Sequence, residues 1–152
     1  MQNKKNLLVI IIGIIVLLGL ILTACLVYQS RPENVIKSRL NLSLPTSSKI
    51  INYEYHRKNE NLAAKILIEA QSVNDVKEQL DKFFGGVTSS ENMKDATGFE
   101  NAVSWWDMSN ENIEAAYMNF VDVKKWFTLM PHQVWTFISK DKEDKYYIYI
   151  FY

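Results

Sequence analysis

The sequence predicts an α+β fold: an antiparallel sheet of two hairpins with two or three helices, preceded by an N-terminal apolar helix. Three observations predict it. Residues Leu7 to Val27 form a run of 21 positions without a charge. Two pairs of segments alternate or are rich in β-branched and aromatic residues, and each pair is joined by a short polar or charged stretch, the pattern of a hairpin. Between the pairs, apolar residues recur at helical spacing as far as a Gly-Gly stop.

The apolar run comes first in the chain. In a helix rising about 1.5 Å per residue it reaches roughly 31 Å, the thickness of a hydrocarbon core. A surface helix of a soluble domain keeps a polar stripe, and this run has none. Lys4 and Lys5 precede it, while Arg31, Pro32 and Glu33 follow. The positive-inside tendency therefore puts the short N-terminus in the cytoplasm and the rest of the chain outside. Towards its end the run reads Leu22-Thr23-Ala24-Cys25. These residues, behind a basic start and an apolar core, resemble the lipobox of bacterial lipoproteins, where a hydrophobic residue and two small ones precede a lipid-bearing cysteine. The resemblance covers residues 1–25 and implies that Cys25 carries the lipid and residues 1–24 are removed. The alternative is a transmembrane anchor that stays in place, since Leu26, Val27 and Tyr28 continue the apolar surface. Both routes attach the chain to a membrane.

The remaining elements follow in order. Residues 29–33 form a short tether, and Pro32 at a first helical turn opens a short helix carrying Val35, Ile36, Arg39 and Leu40. Leu44-Pro45-Thr46-Ser47-Ser48 breaks it. From Lys49 to Arg57 the chain alternates, with Ile51, Tyr53 and Tyr55 expected on one face and Asn52, Glu54 and His56 on the other. Beyond the polar residues 58–61, Ala64, Ile66, Ile68 and Ala70 alternate with Lys65 and Glu69 to complete the first hairpin. Ser72 and Asp75 have the spacing of a capping box, and Val73, Val76, Leu80, Phe83 and Phe84 share a helical face until Gly85-Gly86. Residues 87–98 read as an exposed connection. A further helix is expected near 109–121, with Ser109 as its cap and Ile113, Ala116, Tyr117, Phe120 and Val121 on one side. The last hairpin joins 134–139 to 146–152 around the charged stretch 140–145. Its final strand is apolar on both faces, which places it centrally, with helices over one side and further chain over the other.

This order divides the chain into a leader or anchor (1–28), the tether (29–33) and a single α+β domain (34–152). The whole chain holds 17 basic and 17 acidic residues; two of the basic ones, Lys4 and Lys5, precede the apolar run, so the remainder has 15 basic against 17 acidic. A slightly acidic domain is a poor nucleic-acid binder. Cys25 is the sole cysteine, which removes disulfides, thiol nucleophiles and cysteine metal sites from the domain.

Motifs that carry chemistry are missing from the sequence. His56 and His132 lack a ligand-spaced partner, and the serines occur in no G-x-S-x-G or S-x-x-K setting. Gly85-Gly86 lacks the lysine of a phosphate loop, and Asp141, Glu143 and Asp144 alternate with lysines that oppose a cation. We therefore expect no catalytic residue, no metal site and no cofactor. Trp105, Trp106 and Trp126 are the candidate contact residues. Adjacent tryptophans point to opposite faces of a strand, or diverge by about 100° on a helix, so a domain must cover two surfaces to bury both. The sequence reading is a membrane-bound, outward-facing interaction protein of a bacterial envelope, of accessory, inhibitor or immunity type. It would meet an envelope protein through residues 87–108. The alternative is a lipoprotein that binds a glycan or small amphiphile through exposed aromatics.

Overall fold

A computed structural model describes residues 2–56, 61–86, 103–108, 112–125 and 128–152. Helix α1 (Gln2–Gln29) is separated by two residues from α2 (Pro32–Leu40). Strands β1 (Lys49–His56) and β2 (Asn61–Ile68) follow, then a 3-10 turn (Ala70–Ser72) and α3 (Val73–Phe84). Strands β3 (Ile113–Lys125), β4 (Thr128–Lys140) and β5 (Tyr146–Phe151) complete the chain. The fold is α+β, with one five-stranded sheet in the order β1-β2-β5-β4-β3 and every neighbouring pair antiparallel. The two expected hairpins, β1–β2 and β4–β5, are both present, and β5 occupies the centre.

Helix α1 is long and apolar enough between Ile10 and Gln29 to cross a membrane, and none of that stretch is buried against the domain. Its junction with α2 is tied down. The Asn34 side-chain amide donates to the Tyr28 carbonyl at 2.5 Å, and the Arg31 amide donates to the same carbonyl at 3.3 Å. Pro32 fits the first turn of α2 because that turn has no use for its missing N–H. Asn41, left-handed at φ 49°, ends it.

Alternation along the strands divides the side chains between two layers. On one face Ile36, Leu40 and Leu42 from the α2 region and Val76, Leu80 and Phe84 of α3 pack over Ala64, Ile66, Tyr117, Ile138, Ile148 and Ile150. Gln79 holds α3 to the loop after α2, accepting from the Ser43 amide at 2.8 Å and donating to its carbonyl at 3.3 Å. The other face carries an aromatic layer of Trp135, Phe137 and Tyr149, covered by Val103, Trp106 and Met108.

Three local expectations are corrected. No helix forms at 113–121, because Ile113–Lys125 is a strand paired along its length with β4; Ala115 and Tyr117 face the helices while Ala116 and Met118 face the aromatic layer. A strand buried on both sides has no polar alternation, so its apolar residues match a helical spacing by chance. Ser109 lies outside the described residues. Ile51 does not share a face with Tyr53 and Tyr55: the register shifts between Ile50 and Asn52, so Ile50 packs on the core and Ile51 is exposed. Ser72 makes no side-chain cap, since it closes the 3-10 turn with helical angles (φ −90°, ψ −7°). Gly85 stops α3 as expected, at φ 78° with its amide donating to Asp81.

Candidate functional site

The candidate tryptophans part company in the fold. Trp106 is 5% exposed and sits at the middle of the aromatic layer, with ring centroids 5.2 Å from Tyr149, 6.3 Å from Phe137 and 6.3 Å from Phe151, all near edge-to-face. Trp105 is half-buried beside it and donates its indole N–H to Glu54 on β1 at 2.6 Å. The chain thus covers both tryptophan surfaces itself. Trp126 lies outside the described residues, as do residues 87–102 of the expected contact segment.

A polar cluster clamps this cover to the sheet. The Lys65 ammonium, with only 12% of its side chain exposed, donates to both oxygens of Asp107 at 2.7 and 2.6 Å. The Tyr149 hydroxyl donates to Asp107 at 2.7 Å, and Lys65 lies 4.8 Å over the Tyr147 ring and 5.4 Å over that of Tyr149. Burial pushes the Asp107 carboxyl up, but the hydrogen bonds from Lys65 and Tyr149 together with the Lys65 charge outweigh it and hold the group below its ordinary value. Burial, then the Asp107 carboxylate, pushes the Tyr149 hydroxyl up. Such a tyrosine is a poor base and such an aspartate a poor acid near neutrality. The three groups bond to one another, so the trio holds residues 103–108 to the sheet.

The remaining described polar side chains are placed as follows. His56 is exposed and lies 3.9 Å from Glu54; His132 is half-buried with its ring 5.9 Å from that of Tyr152. Asp141 accepts from the amides of Glu143 and Lys145, and Lys145 pairs with Glu143, so this acidic stretch is a self-contained turn. Among the described residues, no three His, Cys, Asp or Glu side chains gather as a metal site would require. Cys25 is exposed on α1, one turn before its end.

The opposite end of the sheet holds what the sequence did not disclose. Strand β4 pairs with β5 only from Trp135 to Lys140, and β3 with β4 from Ile113 to Lys125. Residues 119–125 and 128–134 therefore continue past the sheet as a two-stranded ribbon. At about 3.3 Å per residue the overhang is roughly 23 Å long. Among the described residues no third strand pairs with it, and the outer edge of β3 is unpaired throughout. Phe120, at its base, is 61% exposed.

The ribbon leaves the sheet at the end where α1 joins the domain. Tyr55 of β1, Leu62 of β2 and Tyr152 after β5 share that end, Leu62 and Tyr152 exchanging two backbone hydrogen bonds. Arg39 of α2 reaches them, donating to the Tyr55 hydroxyl at 3.2 Å with its guanidinium 5.7 Å over the Tyr152 ring. Leu26 and Tyr28 of the last turn of α1 line one open cleft with Arg39 and Tyr55. The arrangement defines a small α+β domain suspended by one apolar helix, with its overhanging ribbon on the side of that helix. Neither protein-family models nor curated proteins nor solved structures yield a match to this chain.

Proposed function

We propose that the chain is a membrane-anchored, outward-facing binding protein of a bacterial envelope, of accessory, inhibitor or immunity type, acting by contact and not by catalysis. The observation that supports this reading best is the β3–β4 ribbon. A strand edge that no neighbour covers is a template for pairing with another chain, and soluble domains ordinarily shorten or shield such edges. Among the described residues no strand pairs with the outer edge of β3, which is 13 residues long and carries the exposed Phe120. Its place on the anchor side favours a partner that itself lies at the membrane surface. Trp106, buried in the aromatic layer, contributes to the domain's integrity, and the ribbon is proposed as a contact surface beside Trp105 and Trp126.

The anchor is proposed to act by one of the two routes the leader allows, a lipid on Cys25 or a retained helix. The intact mass of the protein taken from its native membrane separates them: a chain starting at Cys25 with added acyl groups indicates the lipid, and an unmodified full-length mass the helix. The contact is tested by placing a photo-crosslinking residue at Phe120, with Gln71 at the far end of the sheet as control. A discrete adduct from Phe120 in native membranes, missing from Gln71, is the expected result. If neither position traps a discrete band, or both trap the same one, the ribbon is not the contact surface.

A further inference from the structure

The joint between α1 and α2 consists of Ser30 and Arg31 alone, and hydrogen bonds close it. A helix end leaves its last carbonyls without partners, and beside a hydrocarbon layer those carbonyls need partners from the protein itself. Here the chain supplies them. The Ser30 amide donates to the Leu26 carbonyl at 3.1 Å, and the Ser30 hydroxyl donates to that of Val27 at 2.9 Å. The Tyr28 carbonyl accepts from the Arg31 amide and, at 2.5 Å, from the side-chain amide of Asn34. Asn34 belongs to the first turn of α2, where its own backbone amide donates to the Arg31 carbonyl at 3.0 Å. A side chain of the second helix thus closes the end of the first.

The outer side of the joint has the chemistry of a bilayer surface. The apolar stretch Ile10–Gln29 has 20 residues, which at about 1.5 Å each reach roughly 30 Å, the thickness of a hydrocarbon core. Tyr28 is its last residue but one. Its side chain is 61% exposed, and the exposed Arg31 holds its guanidinium 6.0 Å over the ring. A tyrosine at the end of a span belongs at headgroup level, where its hydroxyl meets water and the body of the ring stays apolar. The guanidinium beside it carries N–H donors in the planar geometry that pairs with phosphate oxygens. We propose that Tyr28, Arg31 and Asn34 form a stiff seat at the bilayer surface: Tyr28 and Arg31 lie in the phosphate headgroup layer, and Asn34 locks the domain to α1 at one angle. The proposal rests on the reading that α1 is a helix retained in a bilayer. It adds that the short stretch after α1 is a rigid joint and not a loose tether, so the ribbon meets the membrane plane at one tilt.

The test uses the full chain in phosphatidylcholine nanodiscs and phosphate-free buffer, with two readings. The first is a distance, by pulsed electron resonance, between nitroxides on the native Cys25, exposed on α1, and on Asp75→Cys at the exposed start of α3. The labelled parent should give one narrow distribution, and Asn34→Asp should lose it, because a carboxylate cannot donate to the Tyr28 carbonyl. That substitution leaves α2 itself intact, since an acidic residue suits the first turn of a helix. The second reading is the magnetic dephasing of isotope-labelled guanidinium carbons of arginine by lipid phosphorus. Dephasing is expected in the parent and should be lost in Arg31→Lys, which keeps the charge and removes the guanidinium. A broad distribution in the parent, an unchanged one in Asn34→Asp, dephasing missing from the parent, or dephasing undiminished in Arg31→Lys overturns the seat while the membrane reading stands. A chain missing from the nanodiscs, or a Cys25 already blocked by a lipid, removes the retained helix, and the seat falls with it.

Discussion

Truncating Trp106 to alanine distinguishes a tryptophan that builds the domain from one that meets a partner. The indole is 5% exposed and packs against the rings of Trp105, Phe137, Tyr149 and Phe151. A tryptophan side chain buries about 200 Å² or more, which at about 25 cal/mol per Å² is worth roughly 5 kcal/mol as an upper bound. Incomplete collapse of the surrounding rings leaves a cavity, and measured costs of such truncations run about 3–5 kcal/mol. Trp105→Ala removes a half-buried ring and its hydrogen bond to Glu54, and should cost about 1–2 kcal/mol. Urea denaturation of the full chain in detergent, followed by near-ultraviolet circular dichroism, reads the difference. With a slope of about 1–2 kcal/mol per molar urea, the midpoint falls by about 2–3 M for Trp106→Ala and by about 1 M for Trp105→Ala. Trp106→Phe, which keeps an aromatic ring in the layer, should recover part of the loss. A Trp106→Ala midpoint within about 0.5 M of the parent would falsify the packing argument and return this residue to the contact surface.

Three further perturbations test other parts of the structure. Asp107 is held below its ordinary value of 3.8, so its contribution is complete above that pH and is lost as the pH falls through the lower folded value; the near-ultraviolet signal of the parent should weaken below about pH 4, whereas Asp107→Asn should start less stable at neutrality and show a flatter acid limb. Gly85→Ala should cost about 1 kcal/mol in chemical denaturation, because φ is +78° while a Cβ there would meet nothing within 4 Å, which makes the penalty torsional and not steric. Thr136 is fully buried on the helix side of β4 and its hydroxyl has no hydrogen-bond partner, so Thr136→Val should raise stability by up to about 1 kcal/mol; a lower thermal midpoint would mean that the hydroxyl is satisfied after all.

The parts of the fold that were legible in the sequence are those where one side of an element meets water. β1 and β2 carry lysine, glutamate and histidine between apolar residues, α3 repeats Val73, Val76, Leu80 and Phe84 against a charged face, and the turn 140–145 is marked by its charges. The two apolar faces of β5 predict a central position, and both are covered, Ile148 and Ile150 by the helix-side core and Tyr149 by the aromatic layer. β3 failed for the same physical reason that β5 succeeded. Both are apolar on two sides, but the aromatic and β-branched run of β5 allows only a strand, while the alanines, tyrosine and methionine of 115–118 fit either state. Pairing with β4 decides between them, and the Lys77–Glu114 ion pair at 3.4 Å lies between α3 and this strand. The irregularity at Ile51 was likewise hidden, since a register shift leaves the sequence alternation intact while moving the face to which it refers.

The candidate surfaces divide in a similar way. An apolar run signals its solvent through composition alone, which is why α1 is legible although none of Ile10–Gln29 is buried against the domain. A clamp such as Lys65 with Asp107, or a corner such as Arg39 with Tyr55 and Tyr152, depends on residues brought together from distant positions by sheet order, and neither partner is unusual in its own neighbourhood. The ribbon depends on a difference in length between β4 and β5, which no single segment contains. Clamp, corner and ribbon also bear on one another. The clamp closes the face that Trp106 occupies, the outer edge of β3 has no strand partner among the described residues, and the corner lies at the ribbon's end of the sheet, beside the helix that leaves the domain. Weakening the corner with Arg39→Gln should therefore loosen the seating of the domain without disturbing the aromatic layer, while Asp107→Asn should do the reverse; crosslinking from Phe120 would respond to the first and not to the second. A loss of crosslinking in both variants would show that the two faces are mechanically coupled through the sheet, and the division of labour between them would have to be abandoned.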